Sequence, residues 1–366
     1  MGVSAAKVVL LCLFLFLGMV LPGVVMQQEA SLQAWNVSES DFSINSSPYE
    51  KLTFLLNYAI LAPSVYNSQP WQFNVSEGEI QVFADESRWL KVADPDRREQ
   101  YISLGCALEN LVIAAEHFGY NCTVSYFPGL ENLVATVSLH ESKSATSPSD
   151  SRLFDAITSR QTSRTPYEPR AISKADLDAI ISLCSDPDAA IFIADGPALK
   201  RRFLDLTITA DEMLYSDVNY KSELGHWLSM GVMGPRGLES KIAQMKVVML
   251  DPGPEQIKED ANLINSTPCL GFIITANNDN LSSVKAGRVL ERFWLAATAR
   301  AISLQQMSQT LETAQTRENL TGLLSAQSGM KPEMKVVQQV FRLGYGRPAP
   351  EHSTRRPLAD VMISER

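Results

Sequence analysis

The sequence predicts an α+β chain built from two tandem, homologous halves that pack on each other as a pseudo-dimer. Three observations carry this. "GCALENLVIAA" at Gly105–Ala115 lies on "GRVLERFWLAA" at Gly287–Ala297, an offset of 182 residues (105 to 287), with Gly, Leu, Glu, Ala and Ala coinciding. Each stretch reads as an amphipathic helix that follows a strand-like region and an earlier helix. A Ser-rich joint, "HESKSATSPSDS" at residues 140–151, separates the two patterns. Two helices of similar composition would also look alike over so short a stretch, so the shared order of elements is the stronger argument. A duplicated unit of this kind places ligand sites between its halves, as a two-fold dimer does.

The first half is expected over residues 48–150. Pro48 to Leu61 reads as a helix, with Leu52, Leu55, Leu56, Ala59 and Ile60 at helical spacing. "QFNV" and "EIQVFAD" flank Ser76-Glu77-Gly78, a hairpin signal. Leu104 to Phe118 is a strongly apolar helix, and Thr123–Tyr126 and Leu133–Leu139 read as strands. The second half, residues 151–366, opens with helices over Leu153–Thr158 and Lys174–Leu183. "AAIFIA" at 189–194 reads as a strand, Ala198–Met213 as a helix and "CLGFIITA" at 269–276 as a buried strand. Gly287–Leu304 is a long helix, and Val336–Phe341 leads into "RLGYGRPAPEHSTRRPLADV".

Ahead of both halves, Val8 to Met26 carries no charge and is about long enough to cross a bilayer. Residues 1–26 are therefore expected to be a membrane anchor or a signal segment, the anchor being favoured because no A-x-A cleavage site follows. Residues 27–47 are polar and read as a linker. The remainder would then lie outside the cytoplasm, membrane-anchored or secreted. Seven N-x-[ST] tripeptides, beginning at Asn36, Asn45, Asn74, Asn121, Asn265, Asn280 and Asn319, agree weakly. Cys106, Cys122, Cys184 and Cys269 are far apart and read as buried free thiols.

Several functions are excluded. A net charge of −9 over 366 residues is unsuited to nucleic acid, which needs a dense basic face. There is no HExxH, GxSxG, P-loop or GxGxxG, and the four histidines show no metal spacing, so no metal is expected. Two arginine clusters and one amide-rich loop remain. "RQTSR" sets Arg160 and Arg164 four apart around Thr162 and Ser163 past a helix end, and "STRRPL" adds Arg355 and Arg356. Planar guanidinium forks suit phosphate, although each cluster alone reads equally as a salt-bridged surface. "APSVYNSQPWQF" at Ala62–Phe73 offers Asn67 and Gln69, each with a donor and an acceptor, between the stiffening Pro63 and Pro70. That suits the edge of a flat ring with alternating acceptors and a donor. A helix end turning into a strand explains the same residues.

Taken together, these stretches resemble a known family. "APSVYNSQPWQF" resembles the APS-x-x-N-x-QPW loop of the nitroreductase-like flavoproteins, and "SRQTSRTPYEPRAI" their arginine-rich opening segment. "KAGRVLERFWLAATARAI", Arg317 and "RLGYGRPAPEHSTRRPLADV" are similar to the tail of the Acg-like branch, so the likeness runs from about Pro48 to Met362. It implies a nitroreductase-like fold and an FMN between the halves. Arg160, Thr162, Arg164 and Arg355 would lie on its phosphate side, and Pro63, Ser64, Asn67 and Gln69 beside its ring. It also implies an oxidoreductase acting through flavin N5 with a small-molecule electron donor or acceptor.

The sequence departs from the family in ways that shape the expectation. "SSPYEKLTFLL" has no arginine, and "LCSDPDAAIFI" stands where a second APS loop would be. One flavin per chain is therefore expected, in a monomer that mimics the family dimer. No residue stands out as a general acid. Residues 215–249, with Trp227, Met230 and Met233 among glycines, suit a lid, or an ordinary helical pair on the core. A closed lid would make the chain a flavin-sequestering protein with little turnover.

Overall fold

A computed structural model describes residues 32–142, 148–250, 252–325, 333–347, 349 and 351–363. The first half contains α1 (Pro48–Ala59), β1 (Trp71–Ser76), β2 (Glu79–Ala84), α2 (Arg98–His117), β3 (Tyr120–Tyr126) and β4 (Leu133–Glu141). Its strands form an antiparallel sheet in the order β1-β2-β4-β3. The second half contains α3 (Pro148–Ile157), α4 (Lys174–Ser182), β5 (Ala189–Ala194), α5 (Pro197–Ser216), α6 (Val218–Ser229), α7 (Leu238–Met249) and α8 (Gly253–Asn265). It continues with β6 (Cys269–Thr275), α9 (Asn280–Thr298), β7 (Ser303–Gln306), α10 (Gln309–Glu312), α11 (Ala314–Ser325) and β8 (Val336–Gly344). The second sheet is also antiparallel and runs β5-β6-β8-β7, the same order as the first. The chain is thus an α+β protein with two tandem halves.

The halves meet where α2 crosses α9, and the two glycines of the repeat make the crossing possible. A Cβ on Gly105 would stand 2.1 Å from the Val284 carbonyl oxygen. A Cβ on Gly287 would stand 2.0 Å from the Ile102 carbonyl oxygen. Residues 102 and 284 are themselves 182 apart, so the contact is reciprocal, as across a two-fold axis. Leu104, Leu108, Leu111, Leu290, Phe293 and Trp294 extend the shared core around it.

Both central helices start earlier than their apolar patterns do. Asp94 accepts the backbone N–H of Glu99 and Gln100 (2.9 and 2.8 Å) and opens α2 at Arg98. Asp279 accepts that of Ser282 (2.7 Å) and opens α9 at Asn280. At its far end α9 stops at Thr298, not Leu304. Ala301 takes a left-handed φ of 55°, and the chain turns into β7. The apolar run hid that turn, because a buried edge strand and a buried helix share composition.

Two terminal segments tie the halves together. Phe73 donates to the Val361 carbonyl and Ile363 donates to the Phe73 carbonyl (both 2.8 Å), so the C-terminal arm pairs with β1 of the first half. The polar stretch before α1, read as a linker, packs tightly where it is described. Phe42 lies on Phe54 and Phe118, and Trp35 stacks on His352 of the arm. The anchor or signal expected over residues 1–26 lies outside the described residues. Among those described, no helix is long and apolar enough to cross a membrane. The cysteines beyond that segment are all unpaired, and Cys106, Cys184 and Cys269 are buried.

Candidate functional site

The loop after α1 leaves its helix at Leu61 and reaches β1 through an unusual backbone. Tyr66, Asn67 and Gln69 all take left-handed φ angles, of 50°, 52° and 51°. Such a conformation costs a non-glycine residue free energy and persists only where its surroundings hold it. The holding groups come from distant segments. Asn67 Nδ2 donates to the carbonyls of Val232 (2.8 Å) and Thr354 (2.9 Å), and its Oδ1 accepts from Arg355 Nη1 (3.1 Å). Ser64 Oγ accepts the Gln69 N–H (2.9 Å). Tyr66 donates its hydroxyl to that of Tyr220 (2.9 Å) on α6.

The segment after α3 approaches from the second half. Thr162 bridges to Leu304 of β7, and Ser163 donates to the Leu304 carbonyl (3.1 Å). Buried Arg342 on β8 fixes it from below, donating to the carbonyls of Ser163 (2.8 Å) and Thr165 (2.9 Å) while its guanidinium stacks on Tyr167. Arg160 is thereby held inside. Its Nη2 donates to the Leu61 carbonyl (3.0 Å), its Nε stands 3.4 Å from Glu291, and it lies over Trp294. Arg355 arrives on the C-terminal arm and donates to the same Leu61 carbonyl (2.9 Å) while lying over Trp35.

These residues line one cavity of about 630 Å³ between the halves, a size typical of small-molecule and cofactor sites. Pro63, Ser64, Asn67, Arg160, Thr162, Arg164 and Arg355 all lie on its wall. Gln69 does not. It is buried, its Oε1 accepts the Arg356 N–H (2.7 Å), and its Nε2 donates to the Asn67 carbonyl (3.2 Å). Its amide is consumed in fastening the loop to the arm. Arg356 also leaves the cavity, pairing with Asp85 (3.1 Å). Arg164 is exposed at the wall and makes no ion pair among the described residues.

Burial pushes Arg160 and Arg355 below the usual guanidinium value, and for Arg355 the neighbouring Arg160 adds to the fall. Glu291 is pushed up to about 7 by burial, which outweighs the pull of Arg160 and Arg355. Burial and the same two arginines bring His352 down to about 4. The cavity therefore concentrates positive charge where Arg160 and Arg355 meet.

The expected lid region is the α6–α7 pair and its connection. Trp227, Leu224 and Tyr220 pack with Leu90 and Ala93 of the first half. Gly231, Val232, Met233 and Gly234 line the cavity, and the two glycines take φ of 73° and 120°. Three wall features were invisible in the sequence pattern. Trp35 sat in an apparent linker. Tyr66 and Tyr220 meet only through the fold. Asp211, Asp260 and Glu312 come from three helices spread over a hundred residues.

No protein-family model matches the chain. A protein of Mycobacterium tuberculosis named "Putative NAD(P)H nitroreductase" is 24% identical over 330 residues, covering 86% of this chain and 91% of that one. A second from the same organism, "Putative NAD(P)H nitroreductase acg", is 22% identical over 328 residues, covering 83% and 92%. Among solved structures, a BluB-like flavoprotein from Clostridium difficile 630 aligns at a TM-score of 0.42 and 14% identity, over 58% of this chain and 99% of that one. The FMN-dependent nitroreductase NfnB from Mycobacterium smegmatis, solved with NADPH, aligns at 0.39 and 14%, over 59% and 99%. By sequence the chain resembles the nitroreductase-like proteins over most of its length. Within them it resembles the Acg branch.

Proposed function

We propose that this chain is an FMN-binding oxidoreductase of the nitroreductase type, with one flavin in the cavity between its halves. One observation carries the reading. Arg160 and Arg355, brought from opposite ends of the second half, converge on the Leu61 carbonyl beside the Asn67 loop of the first. Only Glu291 among the described carboxylates faces the pair within 4 Å. Two buried guanidinium ions against one carboxylate leave positive charge that a bound anion would compensate. Arg355 Nε and Thr354 Oγ1 are buried without a partner among the described residues, and both suit phosphate oxygens.

The residues fit FMN on this basis. Arg160, Arg355, Thr162 and Arg164 would hold its phosphate side, and Pro63, Ser64 and Asn67 its ring. Bound FMN supplies hydride and electron transfer through its N5. The protein supplies position and exclusion. Asn67 is pinned on three sides, so the loop loses little freedom on binding. The Gly231–Gly234 connection, hydrogen-bonded to Asn67 through Val232, would cover that face. Gln69 acts indirectly, by holding the loop on the arm. The names of the mycobacterial relatives support a nicotinamide donor. The internal pseudo-dimer supports a monomer, and the charge-free run at residues 8–26 supports an extracytoplasmic location.

The bond between Asn67 and Val232 also favours a second reading, in which the covered flavin is stored with little turnover. Two measurements decide. Purified protein given FMN should develop bound-flavin absorbance bands, and their absence overturns both readings. Bleaching of those bands by NADH or NADPH supports the enzyme, whereas reduction by dithionite alone supports storage. Arg160→Ala with Arg355→Ala should weaken FMN binding, since each removes charge-assisted hydrogen bonds worth about 1.5–3 kcal/mol. Unchanged affinity would refute the phosphate assignment.

A further inference from the structure

The arginines account for only part of the cavity wall. Asp211 on α5, Asp260 on α8 and Glu312 on α10 also line it, with the rings of Tyr66, Tyr215 and Tyr220. None of these carboxylates makes an ion pair among the described residues. Asp260 accepts from Gln256 (2.9 Å) and Gln309 (3.1 Å). Asp211 is fully buried, and neither of its oxygens has a hydrogen-bond partner among the described residues. Burial and the adjoining Asp260 carboxyl push Asp211 up to about 8, so it gives up its proton only when a cation beside it offsets the charge.

The cation's chemistry follows from the surroundings. No group of three or more metal-ligating side chains with the geometry for an ion exists among the described residues. Tyrosine faces attract organic cations, and carboxylates accept from ammonium N–H. We propose that Asp211, Asp260 and Glu312 form a subsite for the ammonium group of an amine-bearing substrate, one whose reducible part lies toward the flavin. The inference rests on the oxidoreductase reading for that second clause only. Asp211 and Asp260 come from helices between β5 and β6 that have no counterpart between β1 and β2, and Glu312 from a helix between β7 and β8 that has none between β3 and β4, so the subsite belongs to segments added to the duplicated unit.

The test is calorimetric titration of the purified full chain, near neutral pH, with para-nitrobenzylamine, para-nitrobenzyl alcohol and para-nitrobenzoate. The three share a reducible ring and differ in charge. Binding is read without turnover, and the flavin spectrum of the same sample is recorded alongside. The amine should bind about tenfold tighter than the alcohol, the ratio that one desolvated cation contact supplies, and the benzoate should bind no better than the alcohol. Asp211→Asn keeps the shape and should bring amine and alcohol together. Glu312→Gln should reduce the preference if the first variant fails to fold. Equal binding of amine and alcohol by the wild type overturns the subsite, as does a preference that survives both substitutions. A sample that prefers the amine but never shows flavin bands upholds the subsite and fails the cofactor reading instead.

Discussion

Glu109 and Glu291 hold the same place in the two halves, 182 residues apart on the crossing helices, yet they meet opposite surroundings. Glu109 accepts from Arg288 (2.7 Å) and Arg292 (2.5 Å) of the other helix, and the two guanidinium groups keep its carboxyl below the ordinary value despite burial. The symmetric mates of those arginines, 182 residues back, are Cys106 and Asn110. Glu291 therefore lacks the matching pair, and burial, outweighing the pull of Arg160, Arg355 and the neighbouring Asn110 amide, lifts it to about 7. Arg160 takes up part of the deficit from outside the helix pair. A duplicated scaffold thus keeps its packing and lets its chemistry diverge. One glutamate locks the interface, and the other lies under the candidate anion site. The same contrast recurs in the sheets, where a tight turn joins β1 to β2 but four helices over residues 197–265 separate β5 from β6.

The comparison can be broken first at its symmetric point. Gly105→Ala or Gly287→Ala puts a methyl group into a backbone carbonyl on the partner helix, and either should cost about 3 kcal/mol by overpacking. Urea unfolding measures it, and a loss under about 1 kcal/mol would mean that the helices separate freely. The asymmetric point comes next. Glu109→Gln should cost about 3 kcal/mol, because it leaves two arginines without their charge partner. Glu291→Gln should change stability by less than about 1 kcal/mol near neutral pH, since its carboxyl is already partly protonated there. Similar losses in the two variants would erase the distinction.

A smaller effect concerns pH. Asp211 and Glu312 are pushed up to about 8, and Asp94 and Glu291 to about 7, in each case chiefly by burial. For such groups the folded state binds more protons than the unfolded one between their ordinary values and the raised ones. Their contribution is full below about pH 4 and is lost as pH climbs toward 8. The ligand-free protein should lose stability from pH 5 to pH 8, and Asp211→Asn should flatten that slope. His352, held down near 4, acts the other way and adds stability as pH rises from 4 to 6.5. A melting temperature that climbs steadily to pH 8 would contradict the buried state of the carboxylates.

Much of the frame could be read before folding was considered. The repeat at Gly105–Ala115 and Gly287–Ala297 marked the duplication, whereas only the fold shows that its two glycines let the helices cross. The loop at Pro63–Asn67 and the arginines at 160, 164 and 355 were recognisable from short local motifs, and all of them reach the cavity wall. Gln69 shows where motif reading stops. A side-chain amide has the same donor and acceptor whether it faces a ligand or an arm, and only the path of residues 355–356 assigned it to the arm. Helix starts were missed for a related reason, since Arg98, Glu99 and Gln100 look like surface residues until the fold buries them.

What the sequence determined by itself is therefore the duplication and the two short segments that reach the cavity wall. Each is written in neighbouring residues, whose spacing and size constrain the backbone directly. What only the tertiary structure decided is which charges end up together. Asp211, Asp260 and Glu312 lie on separate helices with no shared local pattern, and Trp35 and Arg355 sit near opposite ends of the chain. Burial turns such distant residues into one electrostatic environment, because the low-dielectric interior strengthens interactions that water would screen.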